Sequence, residues 1–200
     1  MLDPIIKVQN LTKKYGDFEA VKGLSFEVYP GEIFGLLGPN GAGKSTTLEI
    51  IETLREKTSG KVMVNGFDIE KDADEIKKII GVQLQTAGFY PGLNLIELLD
   101  LFAGLYNEEI DPMAILDSVN LRDKAKAKFK ELSGGQKQRF SIATTLINKP
   151  TLIFLDEPTG GVDPITRRQF WEMIYKTANE GTTIFVTTHY MDEAEYCDRV

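Results

Sequence analysis

The stretch Gly38-Pro39-Asn40-Gly41-Ala42-Gly43-Lys44-Ser45-Thr46 fits the pattern G-x-x-x-x-G-K-[ST]. An apolar run, Ile33-Phe34-Gly35-Leu36-Leu37, precedes it, and Leu48, Ile51 and Leu54 follow at helical spacing. Strand, glycine-rich loop and helix form the setting in which such a loop cradles phosphate. Gly38, Gly41 and Gly43 allow backbone conformations that a Cβ forbids, so successive N–H groups can converge on one anion. The helix that opens there adds unpaired N–H groups and the positive end of its dipole. Lys44 is placed to reach the outer phosphates, and the Ser45 hydroxyl to ligate the Mg²⁺ bridging them. A plain glycine-rich turn would need neither flank, so the stretch is read as a nucleotide site.

Other residues with chemical potential lie downstream. The continuous apolar run Leu152-Ile153-Phe154-Leu155 reads as a parallel strand buried on both faces, and it ends in Asp156-Glu157. Carboxylates at the carboxyl end of a central strand sit where open α/β sheets bind ligands. Thr182-Thr183-Ile184-Phe185-Val186 predicts a further buried strand, which delivers His189, the only histidine. Taken singly, Glu157 reads as a helix N-terminal carboxylate and His189 as a core histidine; only their company argues otherwise. Leu132-Ser133-Gly134-Gly135-Gln136 opens a helix carrying Lys137, Arg139, Ile142, Leu146 and Ile147, which Asn148-Lys149-Pro150 ends.

The elements that must position these residues follow from pattern. Ile5–Val8 reads as a strand. Leu24, Phe26 and Val28 alternate with polar residues in a half-buried antiparallel strand closed by Pro30-Gly31. Tyr15, in Lys13-Lys14-Tyr15-Gly16, is either core packing or a platform for a base. Ser59-Gly60 reads as a turn into the strand Lys61–Val64, and Asn65-Gly66 as a hairpin. A short helix over 74–79 leads to the strand Ile80–Gln85. A helix over 95–106 has Leu98, Leu99, Phe102 and Leu105 as its stripe, and Asp111-Pro112 starts another. The alternating run Lys124–Lys130 reads as a solvated face. Asp163-Pro164 begins a further helix.

At 42% hydrophobic content, 200 residues suit one compact domain with a sizeable core. The net charge of −7 argues against tracking of nucleic-acid phosphates. A lone Cys197 gives neither a disulfide framework nor a CxxC site and fits a reducing cytoplasm. The start, Met1-Leu2-Asp3-Pro4, lacks signal-peptide features. No run reaches the ~18 apolar residues of a membrane span, so a membrane role would come through a partner.

Phosphate loop, Gln85 loop, Leu132–Gln136 and Asp156-Glu157 with His189 stand in one order. Together they resemble the nucleotide-binding domain of an ATP-binding cassette (ABC) transporter over essentially the whole chain, most like cassettes of the ABC-2 or drug-exporting type. The resemblance implies an α/β fold: a P-loop NTPase core with a mixed sheet, an antiparallel β subdomain, both drawn from 1–85 and 151–200, and an inserted α-helical subdomain over about 86–150. It also implies family strands beyond Val200 that this chain is expected to lack. By the family's roles, Tyr15 stacks on adenine and Val21 joins it in the nucleotide site. Gly38–Thr46 (Gly38, Pro39, Asn40, Gly41, Ala42, Gly43, Lys44, Ser45 and Thr46) is the Walker A loop. Gln85 meets Mg²⁺ and the transmembrane partner, Gln83 being out of register with Gly81. Ser133, Gly134, Gly135 and Gln136 clamp the ATP of a second cassette. Asp156 acts on Mg²⁺ with Ser45, Glu157 polarises the attacking water, Asp163 belongs to the loop touching the dimer mate, and His189 is the switch histidine. Lys44, Gln85, Glu157 and His189 form the implied catalytic set, with ATP and Mg²⁺ as cofactors.

The implied partners are a second nucleotide-binding domain and an integral membrane subunit, with the chain on the cytoplasmic face of the membrane and no nucleic acid. A cassette ATPase acting on nucleic acid or in translation is the alternative. It would carry coiled-coil or zinc insertions between Lys44 and Ser133, or a second cassette, and neither stands within these 200 residues. A GTPase would complete Asn148-Lys149-Pro150-Thr151 with Asp where Thr151 stands. A non-enzymatic scaffold would be expected to lack Lys44 or Glu157. The stretch Gln85–Leu93 is expected to dock the membrane subunit through Phe89, Tyr90 and Leu93.

Overall fold

A computed structural model describes residues 3–83 and 88–200. Gln85 therefore lies outside the described residues. Two long strands open the chain, β1 (Ile6–Tyr15) and β2 (Phe18–Val28), joined by a tight turn with Gly16 at φ +57. They pair antiparallel from Ile6 opposite Val28 to Tyr15 opposite Phe18. The predicted strand Ile5–Val8 is thus only the start of β1, and Lys13–Tyr15 is strand. Tyr15 is 42% exposed, so it is not core packing.

Next come β3 (Ile33–Leu37), α1 (Lys44–Ile51), β4 (Ser59–Val64) and β5 (Phe67–Asp68). The antiparallel sheet has the order β2-β1-β4-β5. Asn65 and Gly66, both at positive φ, make the predicted hairpin between β4 and β5. Ser59-Gly60, expected as a turn, is instead strand. At Gly60, φ is +96 and a Cβ would lie 2.5 Å from the Asn10 carbonyl oxygen, so the glycine serves a close approach of β1. The helix α1 does not reach Leu54 as its spacing predicts. Thr53 turns left-handed (φ +64) just past it, and Leu54 is 58% exposed.

The remaining elements are α2 (Ala73–Ile79), β6 (Ile80–Gln83), α3 (Leu95–Tyr106), α4 (Pro112–Ser118), α5 (Gly134–Thr145), β7 (Leu152–Asp156), α6 (Pro164–Asn179) and β8 (Thr183–Thr188). The second sheet is parallel, in the order β3-β8-β7-β6. Its strands are buried on both faces. Phe34, Leu152, Phe154 and Phe185 share one cluster with the antiparallel sheet and α1. Ile33, Ile153, Leu155, Ile184 and Val186 share another with Phe170, Trp171 and Ile174 of α6. Each such fully buried side chain contributes about 1.5–3 kcal/mol. Beyond β3, Gly35 donates its N–H to the Arg199 carbonyl at 2.8 Å, so residues 198–200 flank that strand.

Helices α3, α4 and α5 have a third cluster, which includes Leu95, Leu98, Leu99, Leu116 and Phe140. Leu105, expected in the stripe of α3, is 73% exposed: the buried arc runs through Leu95, Leu98, Leu99 and Ala103, and Leu105 falls off it. Phe89 and Leu93 also belong to this cluster. The Phe89 ring centroid lies 4.3 Å from that of Phe129 and 5.2 Å from that of Phe140. Of the three residues expected to dock a partner, only Tyr90, 65% exposed, is presented outward. In the run Lys124–Lys130 the basic residues are on the outside while Ala125, Ala127 and Phe129 pack inward.

Candidate nucleotide site

The carboxyl ends of β3, β7 and β8 come out at one edge of the parallel sheet and deliver the loop at Gly38, the pair Asp156-Glu157, and His189. Gly38 is tied to that edge by its N–H bond to the Thr188 carbonyl, 3.2 Å. Gly43 caps α1 at φ +87, and a Cβ there would lie 2.3 Å from the Ala20 carbonyl oxygen. Only glycine satisfies both conditions. Helices α3 to α6 each have a capping side chain, and α2 carries Asp74 and Glu75 in its first turn; α1 has neither. Its N-terminus is therefore the one whose dipole no side chain of its own offsets.

Lys44 is buried, and its ammonium donates to the carbonyls of Gly38 at 2.7 Å and Pro39 at 3.2 Å. It also lies 3.2 Å from Oε1 of Glu157, whose Oε2 is 3.1 Å from Nδ1 of His189. One carboxylate thus joins the phosphate loop to the histidine. Asp156, the last residue of β7, accepts from the Ser45 hydroxyl at 3.2 Å and from the Thr187 hydroxyl. Glu157 is left-handed at φ +45, a conformation that costs a residue with a Cβ about 1–2 kcal/mol. Its N–H donates to the carbonyl and hydroxyl oxygens of Thr187, 3.1 and 3.0 Å, which hold it there.

A cavity of about 380 Å³ opens between Lys44, Ser45 and Glu157 on one side and Tyr15 and Phe18 on the other. The Tyr15 hydroxyl accepts from Arg55 at 2.7 Å, and the Lys13 ammonium lies 5.1 Å from its ring centroid. A neighbouring cavity of about 520 Å³ shares Gly43 and Lys44 and is lined by Val21, but Ser45 and Glu157 do not border it. The smaller cavity is the one with the chemistry.

The sequence model of the family described as ABC transporter matches residues 21–160. The chain belongs to the ABC transporter family. It is 43% identical to the probable multidrug ABC transporter ATP-binding protein YbhF of Escherichia coli (strain K12), over 99% of this chain and 35% of that protein. It is 41% identical to the linearmycin resistance ATP-binding protein LnrL of Bacillus subtilis (strain 168), over 98% of this chain and 65% of that one. The chain thus spans about a third of YbhF and under two thirds of LnrL. Among solved structures it is similar to the dimeric post-hydrolysis state of the ATP-binding cassette MJ0796 bound to ADP and Pi, with TM-score 0.84 and 31% identity over 96% of this chain and 91% of that one. The ADP conformation of the cassette MJ1267 gives TM-score 0.86 at 27% identity, over 98% and 85%.

Not every predicted residue of the cassette meets at this cavity. Ser133 caps α5 in a reciprocal box, accepting from the Gln136 N–H at 3.4 Å while its own N–H donates to Gln136 Oε1 at 2.9 Å. Ser133 and Gly134 are exposed and do not line the cavity. Gly135 packs so close to Thr166 that a Cβ would lie 2.4 Å from its methyl. Asp163 is exposed and caps α6, accepting from the N–H groups of Ile165 and Thr166 at 3.0 Å. The Thr166 hydroxyl, then those N–H groups, hold its carboxyl below the usual range. Sequence reasoning missed Phe18 at the rim, Thr187 between the two acids, and Gln138. The last accepts from buried Gln83 at 3.0 Å and donates to the Pro158 carbonyl beside Glu157. Pairing of an ordinary strand threonine or a helical glutamine across the fold leaves no local pattern.

Proposed function

We propose that this chain is the ATP-binding and ATP-hydrolysing subunit of an ABC transporter of the exporting kind. The observation that carries the reading is the Glu157 carboxylate, held between the phosphate-loop lysine and His189 beside the Ser45–Asp156 pair. Phosphoryl transfer needs cationic and N–H donors on the phosphates, a metal, and a residue that orients water. Lys44 and the α1 N-terminus supply the donors. Glu157 takes a proton from the attacking water, and His189 orients Glu157. Tyr15 and Phe18 form the end of the site suited to a base, with Val21 in the adjoining cavity.

Ser45 and Asp156 present hard oxygen donors 3.2 Å apart. Among the described residues no three His, Cys, Asp or Glu side chains converge on one point. Mg²⁺ suits such a site, because it keeps several waters and takes only one or two protein ligands beside substrate phosphates. Bound there, it would neutralise charge on the outer phosphates. Gln85 completes that set in this reading.

Ser133–Gln136 and Asp163 do not line the cavity, which supports a site completed by a second cassette bound head to tail. The helical segment of about 86–150 would be the arm that carries the signature residues, between the core segments 1–85 and 151–200. No helix among the described residues is long and apolar enough to cross a membrane. A separate membrane subunit, met near Tyr90, would bring the chain to the cytoplasmic face. The named relatives, a probable multidrug transporter subunit and a linearmycin resistance protein, favour an exported cargo.

The test mixes two inactive forms, Lys44→Ala and Ser133→Arg, together with the membrane partner. Each alone should lose ATP turnover, and the mixture should regain it through one competent site per heterodimer. Near-normal turnover by either form alone, or no recovery on mixing, overturns the composite site.

A further inference from the structure

A carboxylate that this mechanism does not use lies behind the Glu157–His189 pair. Glu193, in the short 3-10 helix Met191–Tyr196, has no exposed surface. Its Oε1 accepts from the Thr159 hydroxyl and its Oε2 from the Thr188 hydroxyl at 2.6 Å. Thr188 immediately precedes His189, and its hydroxyl oxygen also accepts from the Tyr190 N–H at 3.0 Å. Thr159 lies two residues after Glu157. One side chain therefore holds a threonine hydroxyl close in sequence to each member of the reacting pair.

The charge opposite comes from α6. Arg167, four residues after the Asp163 cap, places Nε 3.6 Å from Glu193 Oε1 and Nη1 3.1 Å from Asp192 Oδ2. Its guanidinium lies 4.6 Å from the Tyr190 ring, which in turn is 4.1 Å from the His189 ring. Buried Arg167 Nε makes no hydrogen bond, so the pair stands just short of closing. A largely buried ion pair gives little net stability over apolar residues of the same volume. What fixes the geometry is the pair of buried hydroxyl hydrogen bonds to Glu193, which are directional.

We propose that Glu193 is a positioning residue for hydrolysis. Through Thr159 and Thr188 it sets the distance between Glu157 and His189, and through Arg167 it ties that distance to the start of α6. A shift of α6 that moves Arg167 onto Glu193 then reaches both residues at once. The proposal rests on the reading of the chain as an ATPase, and its test separates the two.

Thr159→Val removes one hydroxyl at nearly constant volume, Thr159→Ser keeps it, and Glu193→Gln removes the charge. The measurements are kcat and KM for ATP of the full chain with its membrane partner, and the His189 imidazole resonance of nucleotide-free protein labelled at histidine. Thr159→Val and Glu193→Gln should lower kcat roughly 10–100-fold, the scale of a misplaced reacting group, with KM for ATP within about twofold. Both should move the His189 resonance, and Thr159→Ser should restore rate and resonance alike. A resonance in Thr159→Val that superimposes on the parent's overturns the proposal, as does equal turnover by the Val and Ser forms. Should Glu193→Gln fail to fold, the Thr159 pair still decides. A parent that does not hydrolyse ATP sinks the ATPase reading, while the nucleotide-free resonance continues to test the clamp.

Discussion

Glu52→Gln should make the protein more stable near neutral pH, and increasingly so as pH rises. Glu52 caps the far end of α1 and is 1% exposed, and neither carboxyl oxygen has a hydrogen-bond partner. Burial, then the nearby charges of Asp156 and Glu49, push its pKa from 4.5 up to about 8. The fold thus keeps a proton that the unfolded chain gives up, so unfolding releases protons across this window. The stability associated with the group is complete below about pH 4.5 and is lost as pH rises toward 8. Each pH unit in between removes about 1.4 kcal/mol, which comes to roughly 3 kcal/mol near neutrality and on the order of 5 above pH 8. Glutamine has nearly the same shape and no proton to lose. Urea unfolding of parent and variant, run in parallel from acid to mild alkali, isolates this group with its coupling to Asp156 and Glu49, because titrations elsewhere cancel in the difference. The difference should start small in acid and widen in favour of the variant. A difference that stays flat, or that narrows as pH rises, would refute the argument.

Glu157→Gln should cut turnover about 10²–10⁴-fold while leaving ATP affinity close to normal, since an amide keeps the shape but cannot take the proton; steady-state kinetics and an ATP titration check this. The same form should run as a dimer in size-exclusion chromatography with ATP, because the substitution removes a negative charge facing the phosphates. Gly43→Ala should abolish nucleotide binding: the added Cβ meets the Ala20 carbonyl 2.3 Å away, in a backbone conformation that alanine disfavours. An ATP titration that matches the parent would contradict it. Phe89→Asp should destabilise the α3–α5 cluster by about 1–3 kcal/mol in thermal melts, below the cost of a fully buried aromatic because Phe89 is only partly buried. Tyr90→Asp should spare stability and weaken recruitment to membranes carrying the partner subunit.

Much of this arrangement was legible in the sequence, for a physical reason. A loop that wraps phosphate with its own backbone must have its glycines, lysine and hydroxyl within one turn of chain, so Gly38–Thr46 can be read locally. The same holds for Asp156-Glu157, because a buried parallel strand announces itself as a continuous apolar run and the acids sit at its end. Periodicity alone does not fix where a helix stops or which face it buries. Leu54 lies past the left-handed Thr53, Leu105 lies off the buried arc of α3, and the glycine at Gly60 answers a neighbouring strand instead of a turn. Phe89 was misplaced because an aromatic in a loop looks the same in sequence whether it faces a partner or its own core.

The contrast between Glu52, Glu157 and Glu193 shows what sequence leaves out. All three are glutamates at or near a regular element, and while the apolar run before Glu157 marks it, no local pattern marks Glu52 or Glu193. Glu157 is held by a lysine from the phosphate loop and the histidine just after β8, Glu193 by two threonines and an arginine, and Glu52 by no hydrogen bond. Apart from Thr188, five residues from Glu193, those partners come from positions far apart in the chain, brought together when the parallel sheet is formed. The same residue type is therefore placed as a base, a clamp or a proton-holding group by what the fold sets around it. Each placement makes a different measurable demand: on turnover for Glu157, on the histidine resonance for Glu193, and on the pH dependence of stability for Glu52.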